Sequence, residues 1–323
     1  MAGSLVSLTD ITLAAERIAP HVVRTPTVPS PGLSALLGVP VTAKLELLQR
    51  TGSFKARGAT AKLLALTQDE RAAGVVAVSG GNHGIALAVM AGALGVAATV
   101  VMPESAPAGS VRIARDAGAD VRLTPDMAGA FALTAELQAG GLTLVHPFDD
   151  PTVIAGQGTV GLELATDAGD LTDVLVSIGG GGLISGVAAA LHANRPDVRI
   201  WGVETEGAQA MSAALAAGGP VPVDLTSIVT TLSAPSVSPL TYDHVSALVT
   251  DVLVVPDAEA VQGTLDLADH AKVWAEPAAG CLVPAARRVV EKVGDDTRLG
   301  LVVCGGNAST GDVTAWASRF DLL

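Results

Sequence analysis

The sequence predicts an α/β protein of two lobes, with mostly parallel twisted sheets carrying helices on both faces. Two observations predict it. Apolar runs of strand length alternate with helical stretches almost throughout, at a spacing that suits crossover helices between parallel strands. Several of those runs also end in glycine-rich turns that open the next helical stretch. The composition agrees: 323 residues, 49% hydrophobic and 16% charged, can bury a large core and exclude extended disorder.

In chain order, strands are expected at Val41–Leu45, Val75–Ser79, Ala98–Met102, Val121–Leu123, Leu142–Val145, Val174–Ile178, Arg199–Val203, Val252–Val255 and Leu299–Val303. Each is short, apolar and rich in β-branched residues. Helices are expected at Asn82–Leu94, Ser110–Ala117, Ala128–Ala139, Thr152–Ala168, Leu183–Asn194, Ala258–Ala271, Pro277–Val293 and Ser309–Ser318. Residues Gly218–Leu240, rich in Pro, Ser, Thr and Gly, read as a long irregular connection. The stretch His146-Pro147-Phe148-Asp149-Asp150-Pro151 is the better place for the chain to cross between lobes. That gives a large domain from 1–64 and 151–323, a smaller one from 65–150, and a ligand cleft between them.

A net charge of −13 with no basic cluster argues against nucleic acid or an anionic membrane as partner. An anionic ligand has to be held by local donors instead. Cys281 and Cys304 fall in different elements and suggest a reducing compartment. The start shows no secretory signal and the chain no membrane span, so a cytoplasmic location is expected.

Four segments carry the chemistry. Gly52-Ser53-Phe54-Lys55-Ala56-Arg57-Gly58-Ala59 sets Lys55 in the first turn of an expected helix behind a Ser53 N-cap, with Phe54 and Gly52 giving an apolar surround that lowers its pKa. Ser79-Gly80-Gly81-Asn82-His83-Gly84 ends a strand and converges backbone N–H groups on one point, a seat for a carboxylate. Asn82 adds a donor for a phenolic oxygen. Gly179, Gly180, Gly181 and Gly182, with Leu183, lie between a buried strand and an apolar helix, which favours a phosphate-binding loop over a flexible linker. Neither a dinucleotide nor a nucleoside triphosphate glycine motif is matched. Cys304, after Leu301-Val302-Val303, stands where a thiol meets a heterocycle nitrogen, or equally where an inert cysteine is buried. A lysine nucleophile, an Asn loop and a phosphate cradle, in that order, are what pyridoxal 5'-phosphate chemistry needs.

Together these segments resemble the fold type II pyridoxal phosphate enzymes, specifically the threonine/serine dehydratases and their relative serine racemase. The resemblance spans most of the chain and takes in Lys44-Leu45-Glu46, Gly156-Gln157-Gly158-Thr159, Gly202-Val203-Glu204, Glu276-Pro277-Ala278 and Cys304-Gly305-Gly306-Asn307. It implies that Lys55 carries the cofactor as a Schiff base and then takes the substrate α-proton. It further implies that Phe54 packs on the cofactor ring, Asn82 binds its 3-hydroxyl, Gly179–Gly182 and Leu183 hold its phosphate, and Cys304 faces its ring nitrogen. Ser79, Gly80, Gly81 and His83 match the loop that binds the substrate carboxylate, and the family usually forms homodimers.

Departures narrow the expectation. Gly80 stands where racemases carry a hydroxyl, Ile85 where Gln is common, and Thr230-Thr231 where relatives often have Asp-Gly. Ala210 replaces the Asp that accompanies a Glu matching Glu204 in relatives with a cation site, so no metal is assigned. The chain ends soon after its last motif, with no regulatory domain expected. The implied activity is an ammonia-lyase acting on a small β-hydroxy amino acid, L-threonine or L-serine first. Racemisation, β-elimination on 3-hydroxyaspartate or another β-substituted amino acid, and a non-catalytic binding role are the alternatives.

Overall fold

A computed structural model describes residues 5–323. Its strands, in chain order, are β1 (Thr27–Pro29), β2 (Val41–Leu45), β3 (Val75–Val78), β4 (Ala98–Pro103), β5 (Asp120–Thr124), β6 (Thr143–Leu144), β7 (Asp173–Ser177), β8 (Arg199–Thr205), β9 (Asp251–Val255) and β10 (Leu299–Val303). They form two sheets. One has the order β1-β2-β10-β7-β8-β9, the other β5-β4-β3-β6. All pairings are parallel except β1 with β2. β7 and β10, interior in the larger sheet, are buried along their whole length, as continuous apolar runs in a sheet covered on both faces must be.

All nine expected strands are present. β1 escapes the sequence because it is three residues long and ends in Pro29, which suits only an edge. The expected helices are also found, two of them divided. Asp257–Asp266 gives way to a π-helical turn at Leu267–Ala271. The expected helix from Pro277 breaks at Cys281 into Pro277–Gly280 and Leu282–Val293. Pro284 explains the break, since it has no N–H to give the Gly280 carbonyl. Residues Gly218–Leu240 are irregular apart from a short 3-10 turn at Thr230–Leu232 and the start of the helix Pro239–Leu248. No helix among the described residues is long and apolar enough to cross a membrane.

Parallel strands put their carboxyl ends on one side of a sheet, and the candidate site residues follow those ends. β7 ends at Ser177, just before the four glycines, β10 at Val303, next to Cys304, and β3 at Val78, just before the Asn82 loop. The helix Lys55–Ala65 packs on the helix Pro151–Asp167, and a buried ionic cluster joins them. Arg57 Nε donates to Glu46 Oε2 at 2.8 Å and its Nη1 to Glu163 Oε1 at 2.7 Å. Lys44 completes the cluster by donating to Glu163, balancing two cations with two carboxylates.

Candidate active site

Lys55 opens its helix. The expected Ser53 cap is not formed: the N-cap position is Phe54, and no side chain caps the helix. Ser53 instead pairs its backbone with Gly305, and its buried hydroxyl has no partner. Phe54 N donates to the Cys304 carbonyl at 3.0 Å, so the segment before Lys55 is stitched directly to the end of β10. Lys55 Nζ donates to Pro147 O at 2.9 Å and lies 5.1 Å from the centre of the Phe54 ring. Among the described residues no carboxylate pairs with it, and desolvation brings its ammonium down to about 8.

Phe148, next to Pro147, connects the lysine to the glycine loop. A Cβ at Gly180 would fall on the Phe148 ring, and one at Gly182 would come within 2.9 Å of Phe148 Cβ. Gly181 adopts the left-handed conformation at φ 92° and caps the helix Gly182–Asn194. Among the described residues, no acceptor takes the backbone N–H of Gly179, Gly180, Gly181, Gly182 or Leu183. These free donors at the N-terminus of a thirteen-residue helix are suited to a dianion.

Cys304 is buried, and its Sγ receives the Ser177 hydroxyl at 3.4 Å. Burial, and the nearby Glu276 carboxyl, push the thiol up to about 12, so it stays neutral. His83 is buried with Nε2 2.8 Å from Val145 O. Burial, reinforced by the charge of Lys55, holds its imidazole down to about 3, which removes it as a proton carrier at neutral pH. Ser79 Oγ accepts the Gly81 N–H at 3.2 Å, shaping the loop before Asn82. A Cβ at Gly81 would lie 3.6 Å from Thr231 Cγ2, and one at Gly80 2.9 Å from Ala106 Cβ. The loop is therefore wedged between Ala106 on one side and Thr231 on the other.

Contacts through Pro147, Phe148 and Cys304 thus bring Lys55, Phe54 and the glycine loop together near the carboxyl ends of β7 and β10. Sequence reasoning gave no role to Pro147, Phe148, Ser177, Glu276 or Asn307, which surround them. Glu276 and Asn307 sat inside quoted motifs, but only the structure shows what they touch. Glu204 is occupied elsewhere, accepting from Met211 N, Ser212 N and the Ser212 hydroxyl at the start of the helix Ala210–Ala217. Among the described residues, no group of three metal-ligating side chains could hold an ion.

Three features fit pyridoxal phosphate: a desolvated lysine with no carboxylate partner among the described residues, a run of free N–H donors, and a neutral thiol near the lysine. Residues 18–305 match the family model described as pyridoxal-phosphate dependent enzyme. The chain belongs to that family. It is 38% identical to an L-threonine ammonia-lyase of Thermotoga maritima over 94% of this chain and 76% of that one. It is equally 38% identical to an L-threo-3-hydroxyaspartate ammonia-lyase of a Pseudomonas species, covering 97% of this chain and 98% of its relative. Among solved structures, maize serine racemase superposes with a TM-score of 0.91 at 33% identity, covering 98% of both chains. The expected family and fold class therefore stand, and the protein is a pyridoxal phosphate-dependent enzyme.

Proposed function

We propose that this enzyme is an ammonia-lyase that dehydrates a small β-hydroxy amino acid, L-threonine or L-serine first, to 2-oxobutanoate or pyruvate plus ammonia. The observation that carries the reading is Lys55, a lysine without a carboxylate partner whose amine is brought to about 8 by burial. When bound, pyridoxal phosphate draws off the electron pair left by breaking the substrate Cα–H bond. Near neutral pH a useful fraction of Lys55 is free base, so its Nζ can take that proton. The proton then held on Lys55 is available to the departing β-hydroxyl, which leaves as water. The enamine that results is released and hydrolyses to the 2-oxo acid and ammonia.

The other residues bind and orient. The N–H groups of Gly179–Leu183 hold the phosphate, Phe54 flanks the ring, and Asn82 donates to the ring hydroxyl. Ser79 with the backbone of Gly80, Gly81 and Asn82 seats the substrate carboxylate, and His83 fixes that loop through Val145. A neutral Cys304 thiol cannot keep the ring nitrogen protonated as a carboxylate would, which favours prompt β-elimination over a long-lived carbanion. The large domain of 1–64 and 151–323 carries the phosphate loop and Lys55, the domain of 65–150 the Asn82 loop, and the working assembly is a homodimer. A panel of β-hydroxy amino acids, including L-threo-3-hydroxyaspartate, assayed for 2-oxo acid release tests the reading. Fastest turnover of L-threonine or L-serine supports it, and turnover of 3-hydroxyaspartate alone overturns the substrate.

A further inference from the structure

Asn82 is held at both ends of its carboxamide. Its Nδ2 donates to Glu276 Oε1 at 2.6 Å, and its Oδ1 accepts from Asn307 Nδ2 at 2.7 Å. Asn307 Nδ2 also donates to Thr51 O at 2.8 Å, so both of its N–H groups are committed. Glu276 is anchored in turn, its backbone N donating to Gly305 O at 3.1 Å.

Two glycines make room for this arrangement. A Cβ at Gly305 would lie 2.5 Å from Glu276 Oε1, and one at Gly52, whose φ is +70°, would fall on the Asn307 carboxamide. Both glycines border the nucleophile's segment. A carboxamide can sit in either of two flipped states. Here the flipped state would turn Nδ2 onto the Asn307 donor, losing that bond, and Oδ1 onto the Glu276 carboxyl, losing the second bond wherever that carboxyl is ionised.

We infer that Glu276 and Asn307 are positioning residues that lock Asn82 in one flip state, keeping the second N–H of its Nδ2 free for the cofactor. The inference rests on the reading of Asn82 as a cofactor ligand. Glu276 and Asn82 are buried, 3% and 7% exposed, so water is a poor substitute for the bond between them, whereas Asn307 reaches Asn82 from an exposed position. Burial, partly offset by the bond from Asn82, raises the Glu276 carboxyl to about 7. The bonds also span the cleft, from the loop after β3 to the residues flanking β10.

A double-mutant cycle on cofactor retention tests this, reading the pyridoxal phosphate dissociation constant and the position of the visible absorbance band. Asn82→Ala weakens retention. Glu276→Met, which keeps length but removes the acceptor, weakens it by roughly three- to tenfold, and Glu276→Gln, whose carbonyl oxygen can accept, restores most of the loss. In the Asn82→Ala background, Glu276→Met has no further effect. If Asn82→Ala leaves retention and band unchanged, the reading of Asn82 as a ligand falls. If Asn82→Ala weakens retention but Glu276→Met acts equally with and without Asn82, that reading stands and the positioning role is overturned. Asn307→Ala run through the same cycle gives a second, independent decision should Glu276→Met fail to fold.

Discussion

The amine of Lys55 donates to the carbonyl oxygen of Pro147 at 2.9 Å, and Phe148, the next residue, packs against Gly180 of the glycine loop. A single dipeptide therefore lies between Lys55 and the glycine loop.

Lys55→Ala removes nucleophile and base together while leaving the glycine loop intact. Turnover should fall by at least roughly 10²–10⁴, the usual contribution of general-base action alone. The far-ultraviolet circular dichroism should be unchanged. Activity above about a tenth of wild type would be incompatible with the role given to Lys55.

The pH dependence of cofactor capture follows from the same amine. Desolvation lowers the Lys55 ammonium to about 8, and only the free amine attacks an aldehyde. Capture by the cofactor-free protein should accelerate roughly tenfold per pH unit well below that value and level off above it. Stopped-flow absorbance over a pH series reads the inflection. A rise that continues to pH 10 would mean an ordinary solvated lysine.

Gly180 separates bulk from charge. Any side chain there meets the Phe148 ring, so Gly180→Asp alone cannot report on the phosphate. In a Phe148→Ala background the room exists, and Gly180→Ala should retain cofactor while Gly180→Asp expels it, since like charges at short range are little screened. Equal retention by the two double variants, measured by equilibrium dialysis, would show that the loop is only a turn.

Gly80 bears on stereochemistry. Racemisation needs a proton donor opposite Lys55, and Gly80 has no side chain to supply one. Chiral chromatography of the reaction with L-serine should show pyruvate with little D-serine. Gly80 is outside the left-handed region, so a side chain there meets crowding by Ala106 and no backbone strain. Gly80→Ser combined with Ala106→Gly relieves that crowding and should raise D-serine formation. D-serine made by wild type as fast as pyruvate would make the enzyme a racemase.

Arg57 anchors the helix that Lys55 opens. It is fully buried and divides its donors between Glu46 and Glu163. Arg57→Met strands two carboxylates beside Lys44 alone, and should cost about 3–5 kcal/mol of stability in urea unfolding. A loss below about 1 kcal/mol would mean that the cluster behaves as a surface pair does.

Much of this was legible in the sequence, for a physical reason. Strands of a covered parallel sheet are unbroken apolar runs, and the turns that bind anions need glycine, so β7 and Gly179–Gly182 announce themselves locally. The relationships that stayed hidden join residues distant in the chain. Glu276 meets Asn82 across 194 positions, and Asn307 meets it across 225. Ser53 misled for a local reason, since Ser before a helical run usually caps it, whereas here its backbone is drawn into a bridge with Gly305. The helix Leu8–Ile18 is not among the expected ones, although a Ser7–Asp10 capping box marks its start.

The most direct test of the account is borohydride reduction of the holoenzyme followed by peptide mass spectrometry. The chain has five lysines, Lys44, Lys55, Lys62, Lys272 and Lys292. Lys44, Lys62 and Lys292 are paired with Glu163, Asp150 and Asp251, and Lys272 donates to its own helix end. The pyridoxyl adduct should appear on Lys55 alone. Its appearance on any of the other four would contradict the site described here.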